Sequence, residues 1–157
     1  MNKSKIKTYS FSVLLTLAVG ALSALLTSGG MERYKLIEKP PLTPPDILFP
    51  VVWTILYVLM GVGMARVFMK SEGKTKSRNV IIYSLQLYFN FMWSVLFFVF
   101  QAYGFSFIWL IALWVLIILM IYSFYQTDKP AAVLQLPYFI WVTFAGYLNF
   151  MVWMLNK

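Results

Sequence analysis

The 157 residues are 61% hydrophobic and 19% aromatic, and only 11% are charged. Soluble domains carry about a quarter charged residues, so lipid rather than water must cover most of this surface, as one membrane domain over residues 1–157 with no soluble domain beside it. The absence of Cys and His excludes disulfides, thiol catalysis, zinc sites built on those residues and His-ligated haem, while the net charge of +8 lies in the tail and loops, where it serves orientation and attraction to anionic lipid rather than nucleic acid.

Lys3, Lys5 and Lys7 precede an uncharged run from Thr8 to Ser28. That run is long enough for one spanning helix and exceeds the roughly 7–15 apolar residues of a secretory signal. It is read as a retained span over residues 8–28, ended by Gly29-Gly30. A proline-rich loop follows. Thr43 is the expected N-cap of a second span over 46–69, with Pro44 at the first helical position and Asp46 near the positive helix end. Pro50 is expected to bend this helix, because it removes the hydrogen bond to the Asp46 carbonyl. Lys70 to Arg78 reads as a short basic loop and 79–101 as the third span. Ala102-Tyr103-Gly104 is a tight connection, which makes the third and fourth spans antiparallel neighbours. The fourth span covers 105–126. Asp128-Lys129-Pro130 turns the chain into the fifth, over 131–155, which Pro137 is expected to bend near its start. The fold class is therefore an all-α integral membrane protein, a five-transmembrane-helix bundle with its termini on opposite sides.

Lys3, Lys5, Lys7, Arg66, Lys70, Lys74, Lys76, Arg78 and Lys129 then share one side, against Arg33, Lys35, Lys39 and Lys157 on the other. The positive-inside rule puts the first group, and the N-terminus, in the cytoplasm.

Because lipid accepts apolar side chains at any angle, the informative residues are polar ones at helical spacing. Thr16, Gly20, Ser23 and Thr27 share a face of the first span. It reads as helix packing, small and hydroxyl residues allowing close approach. Asp46, Pro50, Trp53, Tyr57 and Gly61 share a face of the second span. Gln86, Asn90, Trp93 and Phe97 share one in the third, where Asn90 serves either an interhelical hydrogen bond or a ligand. Tyr138, Trp141, Ala145, Leu148 and Asn149 define the inward face of the fifth. The fourth span has no polar residue from Phe107 to Ile121 apart from two indoles, so it is expected to seal the bundle. The pooled interior holds aromatics, amides and hydroxyls but no charge. That argues against a proton-coupled pump or ion channel, and for a dry pocket suited to a flat, apolar, medium-sized ligand. No metal site and no resident cofactor are expected.

Three stretches carry a resemblance. They are Pro44-Pro45, Phe49, Val52-Trp53, Leu56-Tyr57 and Met60-Gly61; Gln86-Leu87, Asn90, Trp93 and Leu96-Phe97-Phe98; and Pro137-Tyr138, Trp141, Phe144-Ala145 and Leu148-Asn149. In this order and spacing they resemble the TspO/MBR family, the tryptophan-rich sensory proteins and translocator proteins once called peripheral benzodiazepine receptors. The resemblance implies a homodimer of five-helix bundles in the membrane, the cell membrane for a bacterial member, with a pocket open toward the first loop. Family ligands include porphyrins such as protoporphyrin IX and benzodiazepine-site compounds. The implied ligand-binding residues are Phe49, Trp53, Tyr57, Asn90, Trp93, Tyr138, Trp141, Phe144, Ala145 and Leu148. Leu42 stands where many members have Trp. Tyr147 is followed by no basic residue until Lys157, unlike the animal sterol pattern.

The expected function is a membrane receptor or sensor for porphyrin, linked to tetrapyrrole homeostasis. The alternatives are light- and oxygen-dependent degradation of protoporphyrin, with Trp53 and Trp141 as candidate catalytic residues, and porphyrin or lipid transport.

Overall fold

A computed structural model describes residues 1–157. The chain forms α1 (Lys3–Tyr34), α2 (Leu48–Lys70), α3 (Gly73–Ser94) running into a π-helical turn (Val95–Val99), α4 (Tyr103–Thr127), α5 (Lys129–Val133) and α6 (Leu136–Leu155). There is no strand. Five helical segments are long and apolar enough to cross a membrane, α5 and α6 together making the fifth. Such a segment must satisfy its backbone groups internally, and a helix does this within one segment.

Close packing of α1 on α2 depends on glycine. A Cβ on Gly61 would lie 2.6 Å from the Val13 Cα, and one on Gly20 would lie 2.5 Å from the Tyr57 ring. With no side chain there, Ser12 donates its hydroxyl to the Gly61 carbonyl at 2.7 Å. In hydrocarbon such contacts replace the hydrophobic drive that holds soluble helices together. α4 packs between α3 and α6, and α2 also meets α5. One half of the bundle is densely filled by Met60, Val67, Ile117, Met120, Phe124, Ala131 and Tyr138, all with 0% exposure. Polar locks tie this half together. Ser123 donates to Asn79 Oδ1, and Asn79 Nδ2 donates to Thr127 Oγ1 at 3.1 Å. Asp128 accepts from Arg66 Nε at 2.6 Å and from Lys70.

Several boundaries differ from those expected. α1 does not end at Gly29-Gly30 but continues to Tyr34. Gly30 is there for packing: its Cβ would fall 2.2 Å from the Phe98 carbonyl oxygen. Thr43 is not an N-cap, since its hydroxyl donates to the Pro40 carbonyl at 2.8 Å within a turn. α2 starts only at Leu48, which leaves Asp46 in the loop. Pro50 then sits in the first turn, where an N–H has no helical partner to lose. The proline therefore explains the start of α2, and the bend argued from the Asp46 carbonyl does not arise. The expected basic loop is mostly helix, because α3 begins at Gly73 with φ +53° and only Ser71-Glu72 separate it from α2. The third span ends in the π turn, after which Gln101 takes φ 52°. The fifth span is interrupted at Leu134-Gln135, with Pro137 in the first turn of α6. Gln135 fills the break. Its Nε2 donates to the Leu59 carbonyl at 3.2 Å and the Ala131 carbonyl at 3.3 Å.

Candidate functional site, an aromatic intramembrane cavity

Above the dense half, α6 makes its main backbone contact with α4 and stands away from α1 and α2. Side chains bridge part of the gap and leave a cavity of about 350 Å³. Phe49, Trp53 and Tyr57 of α2 line it, with Trp93 of α3 and Trp141, Ala145 and Leu148 of α6. These seven expected residues are brought together from three helices. Phe49 meets Trp141 edge-on at 5.9 Å, and Trp53 meets Tyr57 at 5.6 Å. Rings in such tilted contact hold one another in place while leaving their outer faces free. Ala145 is the small residue among them, so the cavity reaches the α6 backbone there.

The other three expected residues lie off the wall. Asn90 and Tyr138 form the floor in a buried chain of hydrogen bonds. Tyr57 donates its hydroxyl to Asn90 Oδ1 at 2.9 Å, and Asn90 Nδ2 donates to the Tyr138 oxygen at 2.9 Å. Tyr138 in turn donates to Gln86 Oε1 at 2.8 Å. The polar groups of Tyr57 and Asn90 thus serve each other, which fixes the Tyr57 ring as a rigid surface. Phe144 sits beside the cavity, between Trp141 at 5.8 Å and Tyr147 at 6.2 Å. It backs Trp141 from behind.

Sequence reasoning missed most of a fourth wall. Gly20, Ser23, Ala24, Thr27, Met31 and Tyr34 of α1 line the cavity, as do Ser94, Phe97, Phe98 and Asn149. The spacing of Thr16, Gly20, Ser23 and Thr27 is legible in the sequence as a shared face that favours helix packing. The deep half of that face does pack, with Thr16 bonded to Tyr83. The shallow half lines the cavity, and the same face continues through Gly30 and Tyr34 once α1 is known to extend. The π turn left no sequence signal. It carries Phe97 and Phe98, which both line the cavity, and π turns recur at functional sites.

Within the cavity no side chain carries charge. Lys35 and Asp46 stand at the mouth. The loop there is pinned to the end of α6, because Asn156 accepts from the Glu38 N–H at 3.2 Å and donates to its carbonyl at 2.9 Å. Trp93 has its indole N–H committed to Asn149 Oδ1 at 2.9 Å. Trp53 and Trp141 line the cavity and make no hydrogen bond through theirs. Leu42, 66% exposed, lies outside the cavity.

Residues 12–154 match the model of the TspO/MBR family. Over 99% of both chains the sequence is 38% identical to a tryptophan-rich protein TspO of Chlorobaculum tepidum. It is 34% identical to the tryptophan-rich sensory protein of Cereibacter sphaeroides over 88% of each chain. It is 33% identical to the translocator protein of Bos taurus over 94% of this chain and 88% of that one. With its five candidate spans and an aromatic cavity built from the motifs that carry the resemblance, this multi-pass integral membrane protein belongs to the TspO/MBR family.

Proposed function

We propose that the protein is a membrane receptor or sensor whose cavity binds a flat, largely apolar ligand of the porphyrin class, with a role in tetrapyrrole homeostasis. The observation that carries this reading is the wall itself: Trp53, Trp93 and Trp141 from three helices surround an uncharged space. Stacking on such rings favours extended π systems. Phe49, Trp53, Tyr57, Trp93, Trp141, Ala145 and Leu148 contact the ligand in this reading. Asn90, Tyr138 and Phe144 hold those residues in place. Benzodiazepine-site compounds are candidates for the same space. The relatives named sensory and translocator proteins support a receptor role. The protein is further proposed to work as a homodimer with its N-terminus in the cytoplasm.

Titration of the purified protein with protoporphyrin IX in the dark tests this. Trp53→Phe, Trp93→Phe and Trp141→Phe are each expected to weaken binding about three- to tenfold, the worth of an aromatic contact. Unchanged affinity in all three variants would place porphyrin elsewhere.

A second reading is photo-oxidative degradation of bound porphyrin. The unpaired indoles of Trp53 and Trp141 favour it, since a porphyrin is its own photosensitiser and indole is oxidisable. Under light and oxygen a defined product spectrum is expected from the wild type and not from Trp53→Phe/Trp141→Phe. Equal product from both would leave the receptor reading alone.

A further inference from the structure

The end of the bundle opposite the cavity mouth is basic. From Arg66 to Lys129 the chain holds six cations against two carboxylates, Glu72 and Asp128. Four of the six cations have partners. Arg66 and Lys70 hold Asp128, Lys76 Nζ lies 4.3 Å from the centre of the Phe68 ring, and Lys129 Nζ lies 5.4 Å from that of Tyr125. Lys74 and Arg78 have neither a carboxylate nor a ring. One turn apart on α3, they line an open cleft with Gly73, Ser77, Ile81 and Ile82. Arg78 is exposed yet fixed, because its Nε donates to Ser123 Oγ at 3.0 Å and Ser123 is locked to Asn79. Its Nη groups make no hydrogen bond within the protein, so the outer edge of the guanidinium is held in place and left open.

The same face of α3 changes character with depth. Lys74, Arg78, Ile81, Leu85 and Tyr88 follow one another at helical spacing. Ile81, Leu85 and Tyr88 are 57%, 43% and 54% exposed on a segment long and apolar enough to cross the membrane. From Arg78 to Tyr88 the helix rises about 15 Å, the depth of one hydrocarbon leaflet. Two cations thus stand above an apolar strip as long as an acyl chain.

We propose that this face of α3 is a site for one anionic glycerophospholipid. The Arg78 guanidinium and the Lys74 ammonium hold the headgroup phosphate, and an acyl chain lies along Ile81, Leu85 and Tyr88. The planar, pre-oriented fork of arginine matches two phosphate oxygens, and lysine adds a second charge. No carboxylate lines the cleft, so nothing in it would take the ammonium of a zwitterionic headgroup. The apolar strip selects a lipid over free phosphate. The site lies apart from the aromatic cavity and does not depend on what that cavity binds.

The test is native mass spectrometry of the detergent-purified chain with dioleoyl phosphatidylglycerol and dioleoyl phosphatidylcholine in equal amounts. Wild type is expected to retain one phosphatidylglycerol in preference to phosphatidylcholine. Lys74→Gln and Arg78→Gln are each expected to weaken that binding about fivefold, the worth of one basic residue at an anionic lipid surface. Lys74 makes no bond within the protein, so Lys74→Gln should keep the thermal midpoint of wild type and report on binding even if Arg78→Gln loosens the contact with Ser123. Lys129→Gln, which removes the same charge from the same end of the bundle, should leave retention unchanged. Equal weakening by Lys129→Gln would mark a diffuse surface potential and overturn the proposal. So would equal retention of the two lipids, or binding that Lys74→Gln leaves intact. Glycerol phosphate at matched concentration should not displace the lipid, and displacement would overturn the lipid assignment by marking a site for free phosphate.

Discussion

At the scale of single residues, the floor of the cavity depends on Asn90. It is 1% exposed and holds two phenols, so its loss leaves the hydroxyls of Tyr57 and Tyr138 short of partners in a dry interior. Asn90→Leu is expected to lower stability by about 1–3 kcal/mol, the penalty for unsatisfied buried polar groups. Thermal unfolding in detergent measures it, and an unchanged midpoint would mean the chain of hydrogen bonds contributes nothing. Ala145 makes the opposite case. It borders empty space, so Ala145→Leu should fill the cavity, keep the stability within about 1 kcal/mol of wild type and abolish porphyrin binding. Asn90 was legible as an inward amide from its place between Gln86 and Trp93. Whether it served a neighbour or a ligand was not, because spacing along one helix does not show which groups the other helices bring within reach.

At the scale of elements, the junction of α2, α4 and α5 turns on Asp128, whose side chain is 3% exposed between Arg66 and Lys70. Burial pushes its carboxyl up, but the hydrogen bonds from Arg66 and Lys70 outweigh this and hold it below its ordinary value of 3.8. A depressed folded pKa means that the carboxylate stabilises the fold above about pH 4. That contribution is lost as pH falls through the folded value. Asp128→Asn is expected to lower stability at pH 7 by about 2–3 kcal/mol, less than a fully buried pair because Lys70 is half in solvent. The gap between variant and wild type should narrow on acidification below pH 4. A gap independent of pH would show that packing, not charge, matters there. At the other end, Asn156→Ala should free the lip at Glu38 and raise amide exchange across residues 36–47, with little change in the helices. The helix ends were the least legible part of the chain. Gly29-Gly30 looks like a terminator, yet Gly30 is buried mid-packing against Phe98, and only the neighbouring helix distinguishes the two uses.

At the scale of the whole molecule, the bundle has two unlike halves. One is filled by large apolar side chains and locked by Asp128 and Ser123. The other keeps α6 apart from α1 and α2 and holds the cavity. An odd number of spans puts the termini on opposite sides of the membrane, and the lack of cysteine makes this simple to test. Single cysteines at Ser4 and Ser77 are expected to react with an impermeant thiol reagent from one face of sealed vesicles. A cysteine at Thr43 should react from the other. Labelling of Ser77→Cys and Thr43→Cys from the same face would rule out the five-span topology. Which face Ser4 shares with the cytoplasm in intact cells settles the orientation proposed from the basic residues.

Composition alone determined that this is a multi-pass helical membrane protein, because so few charges cannot coat a water-facing surface and helices satisfy their own backbone in lipid. Residue spacing determined that Trp53, Trp93 and Trp141 point inward, since helical periodicity is a property of each segment by itself. Only the tertiary structure decided what lies between them. The distance of α6 from α1 and the hydrogen bonds that tie Asn90 to Tyr57 and Tyr138 are relations among helices. Side chains far apart in the chain set them, and no single span records them.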